Sequence, residues 1–281
     1  MSNIHWFPGH MNRALREIAE KASLVDLTVE LRDARAVISS ANQDLLSILK
    51  DRRRLIVLTK SDLSNQTETK KWINHFSTEG LKAIAVNLLL QKDITRLVKE
   101  ITSCDVDKRL KEAARGMKPQ PLRIMVVGVP NVGKSTLINK LAKRNVAQVE
   151  NRPGKTKAQQ WIKVGNAFEL LDTPGVLPMR FDRPELAVNL ALLGMVKETI
   201  LPQEELALKI IALLKNDASN CLQNAYQLDN IQNKDEREIL RLIATRSGLL
   251  VGGEPDTSRA MMIVLNDFRN GRLAHISLER I

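Results

Sequence analysis

Residues Gly128-Val-Pro-Asn-Val-Gly133-Lys134-Ser135 follow the spacing G-x-x-x-x-G-K-[ST]. Glycines at the first and sixth positions let successive backbone N–H groups turn toward one anion. A helix opening at Lys134 adds the partial positive charge of its N-terminus. The Lys134 ammonium then faces the outer phosphates of a nucleotide, and the Ser135 hydroxyl is a ligand for Mg²⁺. Asn131, Val132 and Gly133 inside the loop and Thr136 just beyond it complete this candidate phosphate site. A second group follows at Asp172-Thr-Pro-Gly175. A carboxylate ending an apolar strand can hold Mg²⁺, and the Gly175 N–H can meet a γ-phosphate. Alone, D-T-P-G is a common turn; behind a phosphate loop it reads as a sensor. Between the two lies RPGKTK (152–157), where Thr156 is the candidate to close over Mg²⁺ and the γ-phosphate.

A base-reading element stands elsewhere. Residues 55–63, LIVLTKSDL, end an apolar run in Thr59-Lys60-Ser61-Asp62. The Asp62 carboxylate can accept from guanine N1–H and N2–H₂, a pairing that adenine does not offer, and the Lys60 stem can lie along a purine face. The apolar run LKAIAVN ends at Asn87, and with Leu88 it occupies the place of a second base-contacting loop. In an ordinary GTPase the phosphate loop comes first and the base loop late. Here the order is base, base, phosphate, switch, switch. This is the same circle opened at another point, which a sheet tolerates when the old ends lie close and are rejoined. The segment 102–122 would be the join.

The elements that must hold these loops are legible as alternation. Residues 11–21 have an amphipathic helical period. Strands are expected over 24–34, 54–60, 81–87 and 123–128, with helices over 42–50, 68–76, 93–101 and 134–143. Two further runs follow, QQWIKVG and AFELLD. Such alternation means a mostly parallel sheet covered on both faces. Past about residue 180 every apolar segment fits a helical period and no strand is expected. The expectation is therefore α/β: a circularly permuted P-loop GTPase domain at 1–178, with its N-terminal arm and helix, followed by an all-α domain at 179–281.

Composition narrows the setting. The chain has 281 residues and a net charge of +11. Residues 1–178 hold 30 basic and 18 acidic side chains, whereas 179–281 hold 13 and 14. The basic excess favours a polyanionic partner, nucleic acid before membrane. No run approaches the ~18 apolar residues of a membrane helix. The start, MSNIHWFPGH, lacks the layout of a secretory leader. Cys104 and Cys221 have no zinc or disulfide spacing, which fits a reducing cytoplasm.

With these motifs in view, the chain resembles the ribosome biogenesis GTPase A family of circularly permuted GTPases. The resemblance covers nearly the whole chain. It rests on WFPGHM (6–11), ELRDAR (30–35), TKSDL (59–63), GVPNVGKSTLIN (128–139), RPGKT (152–156), QQWIKVG (159–165), LLDTPGVL (170–177) and the helical C-terminal region. It implies GTP/GDP and Mg²⁺ as ligands, and hydrolysis that is slow alone and stimulated by ribosomal particles. It further implies a cytoplasmic switch in late assembly of the large (50S) ribosomal subunit, acting as a monomer. The subunit or its precursor is the implied partner, with ribosomal RNA touched by the C-terminal helices. Two positions depart from the family: Thr59 replaces its usual Asn, and Leu88 stands where a Ser is common.

Ras-type enzymes orient water with a Gln just after D-x-x-G; here that residue is Val176. The resemblance points instead to His10 as the catalytic group, although a histidine there can equally cap or pack the first helix. GTPases with an Asn at the position of Asn131 often hold K⁺ between it and the phosphates; turn propensity alone also explains an Asn there. The rival reading is an RNA-binding assembly scaffold that holds guanine nucleotide structurally with negligible turnover.

Overall fold

The structure is a computed structural model. It describes residues 8–50, 52–144, 161–165, 167–171, 173, 175–178, 181–196 and 201–281, with the side chains of 8–10, 106–107 and 143–144 left aside. The chain divides into two compact units. One comprises Met1–Arg180 with Glu279–Ile281, and the other Phe181–Leu278.

The first unit opens with α1 (Pro8–Ala22), then β1 (Leu27–Asp33), α2 (Gln43–Ile48), β2 (Arg54–Thr59), α3 (Gln66–Thr78), β3 (Lys82–Val86), α4 (Gln91–Ser103) and α5 (Val106–Ala114). It continues with β4 (Leu122–Val127), α6 (Lys134–Arg144), β5 (Trp161–Val164) and β6 (Phe168–Leu171). The six strands lie in the order β3-β2-β1-β4-β6-β5. All neighbours are parallel except β5, which runs antiparallel to β6 at the edge. Every residue of β1 is buried, as expected of a parallel strand covered on both faces.

Two apolar clusters cover the sheet. Leu15, Ile18 and Ala22 of α1 and Leu45 of α2 pack with Met125, Val127, Leu171 and Val176. Trp72 and Phe76 of α3 pack with Ile56 and Leu58 of β2 and with Ala34 and Val37. Helix α4 buries Ile94, Leu97 and Ile101, the i, i+3, i+7 stripe that its amphipathic period requires.

Strand order reverses direction between β1 and β4. From β1 the chain steps outward to β2 and β3, and from β4 the other way to β6 and β5. In an open parallel sheet, the crevice beyond the strand C-termini at such a switch is where ligands bind. Started at β4 and joined end to end, the strands would run in the order of an unpermuted G domain. The rotation read in the motifs is therefore present in the sheet.

The second unit packs α7 (Pro184–Leu192), α8 (Gln203–Asp217), α9 (Ser219–Tyr226), α10 (Glu236–Arg246) and α11 (Thr257–Arg269). Its centre is Leu206, Ile210, Ile211 and Leu214 of α8, with Ile243 of α10 and Val264 and Leu265 of α11, all fully buried. Asp235 and Glu238 close α10 with a reciprocal capping box. One feature corrects the all-α expectation for 179–281: β7 (Leu250–Val251) pairs antiparallel with β8 (Glu254–Pro255). Gly252 and Gly253, both at positive φ, make the two-residue turn. Strands of two residues are too short for any period to show.

The last three residues group with the first unit. The Glu279 carboxylate accepts from the Ile38 N–H, from the Ser39 N–H at 2.9 Å and from the Ser39 hydroxyl. The tail thus caps the loop that follows β1.

Candidate functional site

The loops at the C-terminal ends of β4, β2, β3 and β6 converge at the switch crevice. The phosphate loop leaves β4 at Gly128. A Cβ there would stand 2.7 Å from the Leu31 carbonyl oxygen of neighbouring β1, and φ is +150°. At Gly133, φ +113°, a Cβ would stand 2.9 Å from Leu88 Cδ1. Gly128 is therefore required by close approach of backbone and by conformation, and Gly133 by its conformation, since Leu88 Cδ1 is the movable end of a side chain. Between them Asn131 takes a left-handed φ of 57° and is exposed, while Val132 is fully buried. Alternation of handed conformations of this kind turns successive N–H groups toward one concavity.

Lys134 opens α6 and is only 8% exposed. Its ammonium donates to the carbonyl oxygens of Gly128 (2.9 Å) and Val129 (2.8 Å). Carbonyl dipoles thus hold a full positive charge over the loop. Ser135 and Thr136 follow, both exposed at the helix start. Gly175 leans against this loop: a Cβ on it would meet Lys134 Nζ at 2.9 Å and Pro130 Cα at 3.1 Å. The next residue, Val176, donates its N–H to the Gly128 carbonyl at 3.3 Å. Its side chain is 1% exposed and packs with α1. The position that carries a water-orienting Gln in Ras-type enzymes is here part of the core. Asp172 and Thr156 lie outside the described residues. His10 is in the first turn of α1, one turn before Ala14, which packs against the same cluster as Val176.

The base loop is tied directly to the phosphate loop. Thr59, fully buried at the end of β2, donates its hydroxyl proton to the Val132 carbonyl at 2.7 Å, with the Arg32 carbonyl the second acceptor at 3.1 Å. The hydroxyl therefore spans the gap, although Thr is shorter than Asn. Lys60 follows with φ 54°, and Ser61–Leu63 form a single 3-10 turn that leaves Ser61 and Asp62 half-buried. In the second base loop the Asn87 side chain accepts from the Leu89 N–H at 2.8 Å. The Asn87 N–H donates to Asp93 at 2.7 Å. Leu88 turns inward, 6% exposed, onto Gly133, while Leu89 is 71% exposed. The departure at Leu88 thus buttresses the phosphate loop with its side chain.

A buried charge cluster underlies the base loop; Asp33 and Arg35 lie in the ELRDAR motif (30–35), to which the sequence attached no role. Asp33, at the end of β1, is fully buried. Its carboxylate accepts from the Arg35 N–H at 3.0 Å and from Arg35 Nε and Nη2, each at 2.9 Å. Lys60 Nζ stands 3.2 Å from Asp33 Oδ2. Burial pushes the carboxyl pKa up, but the charge and hydrogen bonds of Arg35 and the charge of Lys60 outweigh it, and the net direction is down. The signal was present as an Asp-x-Arg pair at a strand end beside a candidate ligand crevice.

A loop that cradles anions between two glycines, a lysine held over it and a base loop braced against it define a P-loop GTPase domain in rotated order. The comparisons agree. The family described as 50S ribosome-binding GTPase matches residues 123–245, from β4 onward. Ribosome biogenesis GTPase A of Bacillus licheniformis is 36% identical over 277 residues, 99% of this chain and 98% of that one. Its Bacillus cereus counterpart is 39% identical over 280 residues, 98% of this chain and 93% of that one. The crystal structure of GNP-bound YlqF from T. maritima superposes with a TM-score of 0.66 at 26% identity, covering 95% of this chain and 98% of that one. The chain belongs to the ribosome biogenesis GTPase A family.

The buried Asp33 cluster generates a pH prediction. A carboxylate whose folded pKa is depressed stabilises the fold above its unfolded value, about 3.9, and loses that contribution as pH falls through the folded pKa. Asp33→Asn should cost about 3–5 kcal/mol at pH 7, because it leaves Arg35 without its charged partner. The gap between wild type and variant should close steadily below about pH 4. Urea unfolding at pH 7 and at pH 3 measures both; an equal gap at the two pH values would refute the assignment.

Proposed function

We propose that this chain binds GTP at the switch crevice and hydrolyses it to GDP and phosphate as a timing switch in late assembly of the large ribosomal subunit. The observation that carries the nucleotide reading is the clamp of the buried Lys134 ammonium on the Gly128 and Val129 carbonyls. Phosphate oxygens offer the same ammonium full negative charges in place of partial ones. Asn131, Val132, Gly133, Ser135 and Thr136 line the cradle. Lys60, oriented by Asp33, lies along the purine, and Asp62 reads its N1–H and N2–H₂. Thr59 keeps the two loops in register, Asn87 shapes the second base loop, and Leu88 supports Gly133. The exposed Ser135 hydroxyl suits a hard cation. Ser135, Thr156 and Asp172 would hold Mg²⁺, which when bound neutralises charge on the β- and γ-phosphates. Gly175 senses the γ-phosphate, its close packing on Pro130 and Lys134 making its loop responsive to what the cradle holds.

Lys134→Ala should weaken GTP binding roughly 10–100-fold, the loss of about 1.5–3 kcal/mol for hydrogen bonds to a charged group. Titration with a fluorescent GTP analogue measures it, circular dichroism confirms the fold, and ATP should fail to compete. Unaltered affinity in the variant would remove the phosphate loop from the site.

With the Val176 side chain in the core, water must be oriented by another group. We assign this to His10, on the helix whose Leu15 and Ile18 pack with Val176. The arrangement supports slow turnover by the chain alone and stimulation on ribosomal particles, where it would act as a cytoplasmic monomer touching ribosomal RNA. His10→Ala should lower turnover on large subunits about 10²-fold or more while leaving nucleotide affinity unchanged. Single-turnover kinetics separate the two; a loss confined to affinity would return His10 to a packing role.

Asn131, exposed in the cradle with a left-handed backbone, is the proposed K⁺ ligand. Hydrolysis should run faster in K⁺ than in Na⁺ at equal ionic strength, and Asn131→Ala should erase the difference. Equal rates in the two salts for wild type would take the ion out of the mechanism.

A further inference from the structure

The loop that follows β1, residues 34–41, is buried except for a half-buried Ile38. Its backbone N–H groups therefore need partners inside the protein. The Ala34 N–H donates to the Thr59 carbonyl at 2.9 Å, at the strand end from which the base loop leaves. The Ser40 N–H reaches back to the Ala36 carbonyl at 3.0 Å and closes one helical turn. Residues inside such a turn have no carbonyl of their own one turn back, as at any helix N-terminus. Ile38 and Ser39 are in that position, and their acceptor comes from far along the chain. The Glu279 carboxylate accepts from the Ile38 N–H, from the Ser39 N–H at 2.9 Å and from the Ser39 hydroxyl. An acceptor shared by three donors fixes direction as well as distance, and a charged one makes each bond stronger.

The turn held by Glu279 leads straight to the base loop. Ser40 Oγ donates to the Ala36 carbonyl within the turn and accepts from the Asp33 N–H at 2.9 Å. Asp33 Oδ2 stands 3.2 Å from Lys60 Nζ. The contacts therefore run from Glu279 through the turn, Ser40 and Asp33 to Lys60, the residue assigned above to the purine face.

The neighbours of Glu279 reach the other side of the same loop. The Ser61–Leu63 turn is tied to the start of α3: Ser64 Oγ donates to the Ser61 carbonyl at 3.0 Å and bonds Thr69 Oγ1 at 2.7 Å. Glu68 lies in that first helical turn. Its carboxyl is held below the usual range by its hydrogen bond to Lys71 above all, with smaller contributions in the same direction from the Ile281 N–H and the Arg280 charge. The segments before and after the base loop also pack together, Val37 and Ile38 against Trp72 and Phe76. Residues 279–281 thus reach both segments that flank Thr59-Lys60-Ser61-Asp62.

We propose that Glu279 is a positioning residue for guanine recognition: by capping the turn at Ile38 and Ser39 it holds Ser40 and Asp33 in place, and through them the base loop. The proposal rests on the guanine reading of that loop and adds to it a residue outside every nucleotide motif. The test uses the full chain as wild type, Glu279→Ala and Glu279→Gln, with unlabelled GDP and inosine diphosphate competing against a fluorescent GDP analogue. Inosine diphosphate lacks the 2-amino group that Asp62 reads, so the ratio of the two affinities reports on the base loop. Glu279→Ala should weaken GDP about tenfold and inosine diphosphate only about threefold, so that the preference for GDP shrinks. Glu279→Gln, which keeps the length and one acceptor oxygen, should shift the ratio in the same direction by less. A merely structural role would lower both affinities in proportion, or lower only the melting temperature followed by circular dichroism, and leave the ratio unchanged. Glu279→Ala decides where it folds; otherwise Glu279→Gln does. An unchanged ratio in the deciding variant overturns the proposal. A wild type that binds GDP no better than inosine diphosphate or ADP would instead remove the guanine reading, and this proposal with it.

Discussion

The first unit depends on the pairing of β1 with β4, from Leu27 opposite Ile124 to Glu30 opposite Val127. These strands are nearly 100 residues apart in sequence, yet they carry the two halves of the G domain. Without that pairing the base loops and the phosphate loop belong to separate pieces. With it, Leu31 of β1 comes so near Gly128 that only glycine fits at the mouth of the phosphate loop. The cost of bringing distant strands together grows only logarithmically with loop length. Opening the circle at a new point is therefore cheap, provided that each rejoined half still presents its buried face to the other. The full burial of Val29 and Leu31 on one side and Val126 and Val127 on the other meets that condition.

The same strand ends carry charges that apolar packing alone would not favour. Glu30 is 2% exposed and bonds Arg32 at 2.7 Å and Arg54 at 3.2 Å; Asp33 holds Arg35 and Lys60. Buried ion pairs of this kind contribute little net stability, because desolvation offsets the attraction. Their value here is positional. Asp33 fixes one end of Lys60, Thr59 fixes the strand end before it, and Ser40 accepts the Asp33 N–H at 2.9 Å. A base loop built on left-handed Lys60 is held from three sides before any ligand arrives, which lowers the ordering cost of binding.

Much of this was legible in the residues. The phosphate loop, the base loop and their rotated order followed from spacing and from the strands that precede them. The strands of a two-sided parallel sheet are continuous apolar runs and announce themselves. What stayed hidden depended on contacts across the sheet. Nothing local to Leu88 says that it packs under Gly133, and nothing local to Val176 says that its side chain belongs to the α1 cluster. Asp33 and Arg35 read as polar residues ending a strand, and only the fold shows them completely buried. The β7–β8 ribbon is two residues long on each side, below the reach of periodicity, although its Gly252-Gly253 turn was visible. The grouping of Glu279 with the loop after β1 joins positions 240 residues apart, a separation at which sequence pattern carries no information.

The join is what the rotation adds to the N-terminal edge of the sheet. A connection between α4 and β4 has to cross the N-terminal edge of the sheet, because β4 begins there. Lys108 and Arg109 do the structural part, bonding Asp26 before β1 and Gln120 and Pro121 before β4. Arg123 adds a contact to Glu169 and the Trp161 ring, and these three cations hold the segment to the sheet. That edge carries a helix and a turn on which Lys111, Arg115 and Lys118 are exposed. Strands β1 and β4 connect that edge to the nucleotide crevice by a few rigid, hydrogen-bonded residues each. Any change at that edge would have to reach the crevice through a discrete rearrangement at the strand ends, since a packed parallel sheet does not deform continuously.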